Sequence, residues 1–199
     1  MTLQLFLALV SFAAITAYTP GPNNTLLMAA GMNHGFKATF PMAMGVALGF
    51  PLMIACVGLG LGKVFEAIPV LNIILKFAGA AYMLWLAWKI ANSGPANSSE
   101  AASKKPMSFI QMTLFQWINP KGWIMSVTAL STYTLPNQYY LGVAIVVGCY
   151  VVMGLTSASA WALFGASLRH IMSDVRYYRV INWGLAIVLV ASIATIFIH

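Results

Sequence analysis

Apolar residues run through the chain in stretches of roughly 20 residues or more, enough for a helix to cross a hydrocarbon core of roughly 30 Å. Short polar segments separate these stretches. The pattern predicts an all-α membrane protein with six membrane-spanning helices. The predicted spans are Leu3–Ala30, Thr39–Gly62, Ile68–Trp88, Phe109–Tyr133, Tyr139–Phe164 and Val180–Ile198.

One longer polar segment, residues 92–106, interrupts this pattern in the middle of the chain. It is rich in Ser, Ala, Asn and Lys, a composition typical of a flexible connector. Three predicted spans precede it and three follow, so the second half begins on the opposite membrane face from the first. That parity predicts two inverted three-helix repeats, residues 1–91 and 107–199, joined by a cytoplasmic linker.

Two of the predicted spans contain a break where a helix in lipid should be continuous. Span 1 carries the sequence TPGPNN at residues 19–24, and span 4 carries QWINPK at residues 116–121. Proline lacks an N–H group and crowds the carbonyl four residues back. Unsatisfied backbone persists at membrane depth only where protein or a watered cavity satisfies it. Breaks in corresponding spans of two halves therefore predict a transporter's binding site near the membrane midplane.

The second break predicts a new half-helix, with Asn119 as its N-cap and Pro120 as its first residue. Half-helix N-termini attract carboxylates, and freed carbonyls suit ammonium groups, so the two breaks together fit an amino-acid zwitterion. The predicted substrate-binding residues are Pro20, Gly21, Pro22, Asn23, Asn24, Gln116, Asn119, Pro120 and Lys121, with Thr16, Tyr18 and Lys76 as secondary candidates.

Lys121 and Lys76 are the ionisable residues placed well inside predicted spans. A charge at that depth costs at least about 2.5–3.5 kcal/mol on insertion scales, so a functional role is the default hypothesis. We predict that Lys121, beside the second break, binds the substrate carboxylate, whereas Lys76 lies closer to a span end and can snorkel. The acids and histidines lie in loops or at span edges. We therefore expect no proton relay at the midplane, no catalytic set, no cofactor and no metal site.

Composition and charge narrow the class further. A hydrophobic content of 61%, a charged content of 7% and a mean hydropathy of +0.86 exclude an ordinary soluble domain. The net charge of +7 comes with no basic stripe or stacking-aromatic module, so no nucleic-acid partner is expected. Basic residues concentrate in the odd loops, which places those loops in the cytoplasm and both termini outside. The odd loops hold Lys37, Lys89, Lys104, Lys105, Arg169, Arg176 and Arg179, and the even loops hold only Lys63.

The same motifs resemble the lysine-exporter (LysE/RhtB) family of bacterial amino-acid exporters. The resemblance rests on residues 19–24, 34–36, 79–89 and 119–121, together with Gly45 and Gly49. Residues 88–91 and 128–132 are most similar to the cysteine/O-acetylserine exporter branch. The resemblance implies a secondary transporter of the bacterial inner membrane. It would export small amino acids or derivatives, such as cysteine, O-acetylserine, threonine or homoserine, driven by the proton motive force.

Two alternative functions stay open at this point. A transmembrane thiol–disulfide electron carrier would use Cys56 and Cys149, each of which lies in an apolar span. A metal-ion exporter would share the helical architecture, although no acidic or thiolate cluster accompanies the breaks. Otherwise the sequence predicts an alternating-access carrier without enzymatic activity, whose site is lined by the two broken helices.

Overall fold

The computed structural model describes residues 1–93, 105–171 and 175–198, and all regular structure within them is helical. The expected all-α class is therefore confirmed. A π-helical segment, Val57–Leu61, and two 3-10 turns, Gln116–Ile118 and Pro136–Gln138, connect some of the helices. The α-helices are α1 (Leu3–Tyr18), α2 (Pro22–His34), α3 (Phe36–Cys56), α4 (Gly62–Ala67), α5 (Pro69–Ala91), α6 (Phe109–Phe115), α7 (Pro120–Tyr133), α8 (Tyr139–Ile171) and α9 (Val175–Ile198).

Four stretches in the described part of the chain are long and apolar enough to cross a membrane singly. The bent pair α1 and α2, which meet at 49°, passes the same test as one broken span. The predicted fourth span consists of α6 and α7, which have 7 and 14 residues and are each too short to cross alone. The six-span inverted repeat thus stays a prediction. The four single stretches are Phe36–Phe65, Ile73–Ala91, Pro136–Arg169 and Arg176–Ala194.

Helix α6 shows how local sequence sets an element. Ser108 accepts a hydrogen bond from the Gln111 backbone N–H at 3.2 Å, and the Gln111 side chain accepts one from the Ser108 N–H at 2.9 Å. This reciprocal capping box satisfies two of the N–H groups that a helix start leaves unpaired. The capping box fixes the start of α6 at Phe109, and α6 leads directly into the 3-10 turn at the second break.

Helix α8 is the central element of the packing. It lies along α2 and α3 and also contacts α1, while α5 packs against α9 on another side. Two glycines let the α2 and α8 backbones approach closely: a Cβ at Gly31 would overlap the Ala162 carbonyl, and a Cβ at Gly165 would overlap the Met28 carbonyl. Small residues at such positions replace the hydrophobic driving force that helix pairs lack in lipid.

Buried apolar side chains form two separate clusters. The first cluster joins α2, the beginning of α3, α5, α6, α9 and Ala158 of α8, with Leu27, Met83 and Leu189 fully buried. The second cluster joins α1, the end of α3, α7 and the beginning of α8, with Leu9 and Met53 fully buried. Each break lies where one cluster gives way to the other, so the predicted site residues at the breaks lie at a junction between the two clusters.

Part of the predicted organisation lies outside the described residues. The linker 92–106 falls mostly within 94–104, and Glu100, Asp174 and His199 are likewise outside. The division into repeats 1–91 and 107–199 therefore stays a prediction.

Candidate functional site

The first break separates α1 from α2 with three residues of non-helical chain. Helix α2 begins at Pro22, with Gly21 in the N-cap position and its backbone fully extended. Proline at the first helical position needs no N–H partner, so the half-helix starts there without an unsatisfied donor from Pro22. The predicted break in span 1 is confirmed at these residues.

Side chains from three elements cover the carbonyls that this break frees. Asn24 Nδ2 donates to the Ala17 carbonyl at 2.7 Å and to the Thr19 carbonyl at 2.9 Å. Ser157 Oγ on α8 also donates to the Ala17 carbonyl, at 2.7 Å. Lys121 Nζ on α7 donates to the Thr19 carbonyl at 3.0 Å. The first break is thus closed by the protein's own donors, at Ala17 and Thr19.

The second break places Asn119 at the start of a half-helix. Helix α6 ends at Phe115, a 3-10 turn follows, and α7 begins at Pro120 with Asn119 in the N-cap position. The predicted half-helix is confirmed. However, the Asn119 side chain makes no capping bond to α7. It turns across the gap between the breaks, and its Nδ2 donates to Asn23 Oδ1 at 3.3 Å.

A side-chain amide pair joins the two breaks directly. Asn23 Nδ2 donates to Gln116 Oε1 at 2.9 Å, and Gln116 Nε2 donates back to Asn23 Oδ1 at 3.2 Å. Gln116 Nε2 also donates to the Met112 carbonyl at 2.9 Å, so the fully buried Gln116 is anchored to α6. These bonds connect residues more than 90 positions apart and hold the two half-helix starts in one place.

A cavity of about 40 Å³ lies between the breaks. Since one water needs roughly 10–15 Å³ of such space, it holds about three waters and is smaller than an amino acid. Side chains of both apolar clusters form its walls, beside the polar residues of the breaks. The lining residues are Thr16, Ala17, Gly21, Pro22, Asn23, Asn24, Val46, Phe50, Asn119, Lys121, Gly122, Met125, Tyr150, Gly154, Ser157 and Ala158.

Asn119, which lines this cavity, has a side-chain oxygen without a partner. Asn119 is 2% exposed, and its Oδ1 accepts no hydrogen bond. A buried acceptor left without a donor costs roughly 1–3 kcal/mol, which a ligand donor would recover. Lys121 lies on the same cavity, and an ammonium group carries three donors, so a carboxylate can bind beside its contact with Thr19. The cavity therefore offers a cationic donor and a buried acceptor together.

Most of the predicted site residues meet at this cavity, and some do not. Gln116 is absent from the lining but supports Asn23 from behind. Pro20 and Tyr18 are exposed, Pro120 shapes the backbone, and Lys76 is half-buried on α5, away from the lining. The predicted residues that line the cavity are Thr16, Gly21, Pro22, Asn23, Asn24, Asn119 and Lys121.

Sequence reasoning missed the wall that α8 contributes. Tyr150, Gly154, Ser157 and Ala158 all line the cavity. Their spacing of i, i+4, i+7 and i+8 places them on one face of a helix. That spacing of small and hydroxyl-bearing residues in an apolar run was the available signal. Span 5 contains no proline, so it lacks the kind of break that indicated the site in spans 1 and 4.

The features behind the alternative functions are also located. Cys56 and Cys149 are both half-buried free thiols, and neither lines the cavity. Within the described residues no group of three or more His, Cys, Asp or Glu side chains is placed to hold a metal ion.

Comparison with known proteins identifies the family of the chain. The model of the LysE type translocator family matches residues 14–199. The chain is 36% identical over 199 residues to the cysteine/O-acetylserine efflux protein of Escherichia coli (strain K12), covering 99% of this chain and all of the relative. It is 37% identical over 203 residues to the protein of that name from Salmonella choleraesuis (strain SC-B67), with the same coverage. No solved structure matches significantly. The chain therefore belongs to the LysE-type translocator family of membrane transporters and is not an enzyme.

Proposed function

We propose that this amino-acid efflux transporter exports small amino acids of the cysteine and O-acetylserine type, with the cavity between the two breaks as its substrate site. The observation that carries the proposal is that Lys121 lines the same cavity as Asn119, whose buried Oδ1 has no hydrogen-bond partner. A zwitterion supplies a carboxylate for the first group and an ammonium donor for the second. The relatives' names support the substrate class.

In this proposal the carboxylate binds Lys121 and the free N–H groups at the starts of α2 and α7. Both half-helices begin at the cavity with proline in the first position, and a helix N-terminus favours an anion. Asn23 supports this arrangement because its amide ties the two helix starts together.

The ammonium group binds Asn119 Oδ1. The sequence-based expectation for this role was the carbonyls freed near Thr16, Tyr18 and Gln116. The Gln116 carbonyl accepts the Asn119 N–H at 3.2 Å, and the Ala17 and Thr19 carbonyls accept side-chain donors. A substrate ammonium would have to displace those donors, whereas Asn119 Oδ1 has no donor to lose. The buried acceptor is therefore the better partner.

Transport proceeds by alternating access around this cavity. A space of about 40 Å³ is too small for an amino acid, so substrate entry requires the walls to separate. The walls belong to different apolar clusters: Val46 and Ala158 to the first, and Phe50, Met125 and Tyr150 to the second. A junction between two clusters can open without disrupting either one.

The membrane arrangement follows from the charge pattern. Six spans in two inverted repeats would place the basic odd loops in the cytoplasm and both termini on the outer side of the bacterial inner membrane. Family resemblance supplies the proton as coupling ion. Because no acid or histidine among the described residues lines the cavity, the proton would enter with the substrate or act elsewhere.

The test is substrate transport by the purified protein in proteoliposomes, with and without an imposed proton gradient. Labelled cysteine, serine and O-acetylserine should move saturably, and Lys121→Met should reduce their movement at least about hundredfold because the carboxylate loses its cation. The matched control is Lys63→Met, an exposed lysine outside the cavity, which should transport normally. Equal transport by wild type and Lys121→Met would contradict the proposal.

A further inference from the structure

Tyr150 on α8 lines the cavity, and its side chain is held in a fixed position. Tyr150 is 1% exposed, and its ring meets Phe50 edge to face with centroids 5.2 Å apart. Both rings line the cavity. Such packing leaves the phenol little freedom, so the direction of its hydrogen bond is set by its partner.

That partner is Thr16, whose Oγ1 lies 3.0 Å from Tyr150 Oη. Thr16 Oγ1 also lies 2.7 Å from the Phe12 carbonyl, which can only accept. A threonine hydroxyl has one hydrogen, and the shorter contact with an obligate acceptor takes it. Tyr150 must therefore donate its own hydrogen to Thr16, which leaves the lone pairs of Tyr150 Oη as acceptors.

Ser157, two helical turns further along α8, has likewise donated its hydroxyl hydrogen to a protein acceptor. Its single hydroxyl hydrogen is donated to the Ala17 carbonyl at 2.7 Å. Both hydroxyls on this wall thus direct their hydrogens to groups of α1. What α8 can offer a ligand is hydrogen-bond acceptors.

We propose that Tyr150 is a specificity-determining residue that accepts a hydrogen bond from the side-chain hydroxyl or thiol of the substrate. The inference rests on the proposed function, with Lys121 and Asn119 holding the amino-acid backbone. Serine and cysteine carry a side-chain donor. Alanine has none, and O-acetylserine carries an ester with acceptors only. The wild-type site should therefore discriminate in favour of the donor side chains.

The experiment measures concentration dependence of transport in proteoliposomes for two substrate pairs: serine with alanine, and cysteine with O-acetylserine. Tyr150→Phe removes only the hydroxyl, so we expect the KM for serine and cysteine to rise about tenfold. The KM for alanine and O-acetylserine should change less than about twofold, since neither donates to Tyr150. The matched control is Tyr178→Phe, which removes the hydroxyl of another buried tyrosine, bonded to Asn33 away from the cavity.

A second variant reverses the expected preference. Thr16→Val removes the acceptor of the Tyr150 hydrogen and frees that hydrogen for a ligand. We expect the KM for O-acetylserine to fall relative to that for cysteine, by about fivefold or more. A merely structural role of the Thr16–Tyr150 bond would change all four substrates by the same factor in both variants.

The outcomes separate the two proposals. Selective loss of serine and cysteine in Tyr150→Phe, with Tyr178→Phe unchanged, supports the role of Tyr150. Uniform changes across the four substrates, or none, overturn it while amino-acid transport stands. Failure of the correctly inserted wild type to move any amino acid would overturn the proposed function, and the inference with it.

Discussion

The two breaks look alike in the sequence and differ in how the protein treats them. At the first break, Asn24, Ser157 and Lys121 donate to the freed carbonyls of Ala17 and Thr19. At the second break, Asn119 turns away from its own helix and keeps a buried oxygen without a donor. We call the first break closed, because side chains donate to its carbonyls, and the second break open, because a buried acceptor there has no donor.

This difference separates stability from binding. Polar side chains at a closed break mainly compensate for backbone that proline has disrupted, so their loss should cost folding free energy. An open break carries an unpaired group that the fold does not use, so its loss should cost ligand affinity. Both motifs contain proline and asparagine, but the two asparagines differ in role. Asn24 stabilises the first break, whereas Asn119 is available to a ligand at the second.

The largest effect should come from stripping the first break of its donors. The double variant Asn24→Ala with Ser157→Ala removes three hydrogen bonds and leaves the Ala17 carbonyl without either side-chain donor. At about 1 kcal/mol per bond and roughly 1–3 kcal/mol for the unpaired carbonyl, the free energy of unfolding should fall by about 4–6 kcal/mol.

Unfolding in detergent, followed by denaturant titration, measures that loss. The two single variants should together cost less than the double variant, because each still leaves one donor on the Ala17 carbonyl. Asn92→Ala is the control, since it removes an exposed asparagine bond to the Trp88 carbonyl and should change little. If the losses in unfolding free energy of the two single variants summed to that of the double variant, the Ala17 carbonyl would not require a side-chain donor.

A smaller loss should follow from separating the first half-helix from α8. Gly165→Ala places a Cβ against the Met28 carbonyl of α2, so the backbones must move apart. Overpacking of this kind costs roughly 1–3 kcal/mol. Gly148→Ala on the same helix meets no atom within 4 Å and should be neutral or slightly stabilising. Equal melting temperatures for the two variants would contradict the close packing of α2 on α8.

At the second break the effect should appear in affinity and leave the fold intact. Asn119→Ala removes an oxygen that has no partner and one 3.3 Å bond to Asn23. We expect the free energy of unfolding to change by less than about 1 kcal/mol while the transport KM rises about tenfold or more. Denaturant titration and proteoliposome transport on the same preparation test both halves. If Asn119→Ala lost stability but transported with unchanged KM, the second break would contribute to stability and not to ligand affinity, which contradicts the comparison.

The smallest effect should come from residues at neither break. Cys56→Ala with Cys149→Ala removes two half-buried thiols that lie outside the cavity. Amino-acid transport should stay within about twofold of wild type, because no thiol contacts the proposed substrate. Loss of transport in the folded double variant would favour the thiol–disulfide carrier.

Local sequence predicted the breaks because proline acts on the nearest turn. Pro22 and Pro120 each begin a half-helix as expected, and Lys121 lies at the cavity as its sequence neighbour Pro120 requires. These features depend on a few consecutive residues.

The remaining features depend on which helices become neighbours. Nothing within residues 116–121 indicates that Asn119 bonds Asn23 instead of capping its own helix. The Ser157 bond to Ala17 likewise joins positions 140 apart. The spacing of Tyr150 and Ser157 in the sequence places them on one helix face. Only the packing of α8 beside α1 shows that both hydroxyls donate their hydrogens to α1.

The most direct test is equilibrium binding of labelled serine to purified wild type, Asn119→Ala and Asn92→Ala at equal concentrations of folded protein. We expect saturable binding by wild type and Asn92→Ala. For Asn119→Ala we expect an affinity weaker by about tenfold or more, with its stability preserved. Wild-type affinity in Asn119→Ala would contradict the assignment of the open break as the substrate's binding partner.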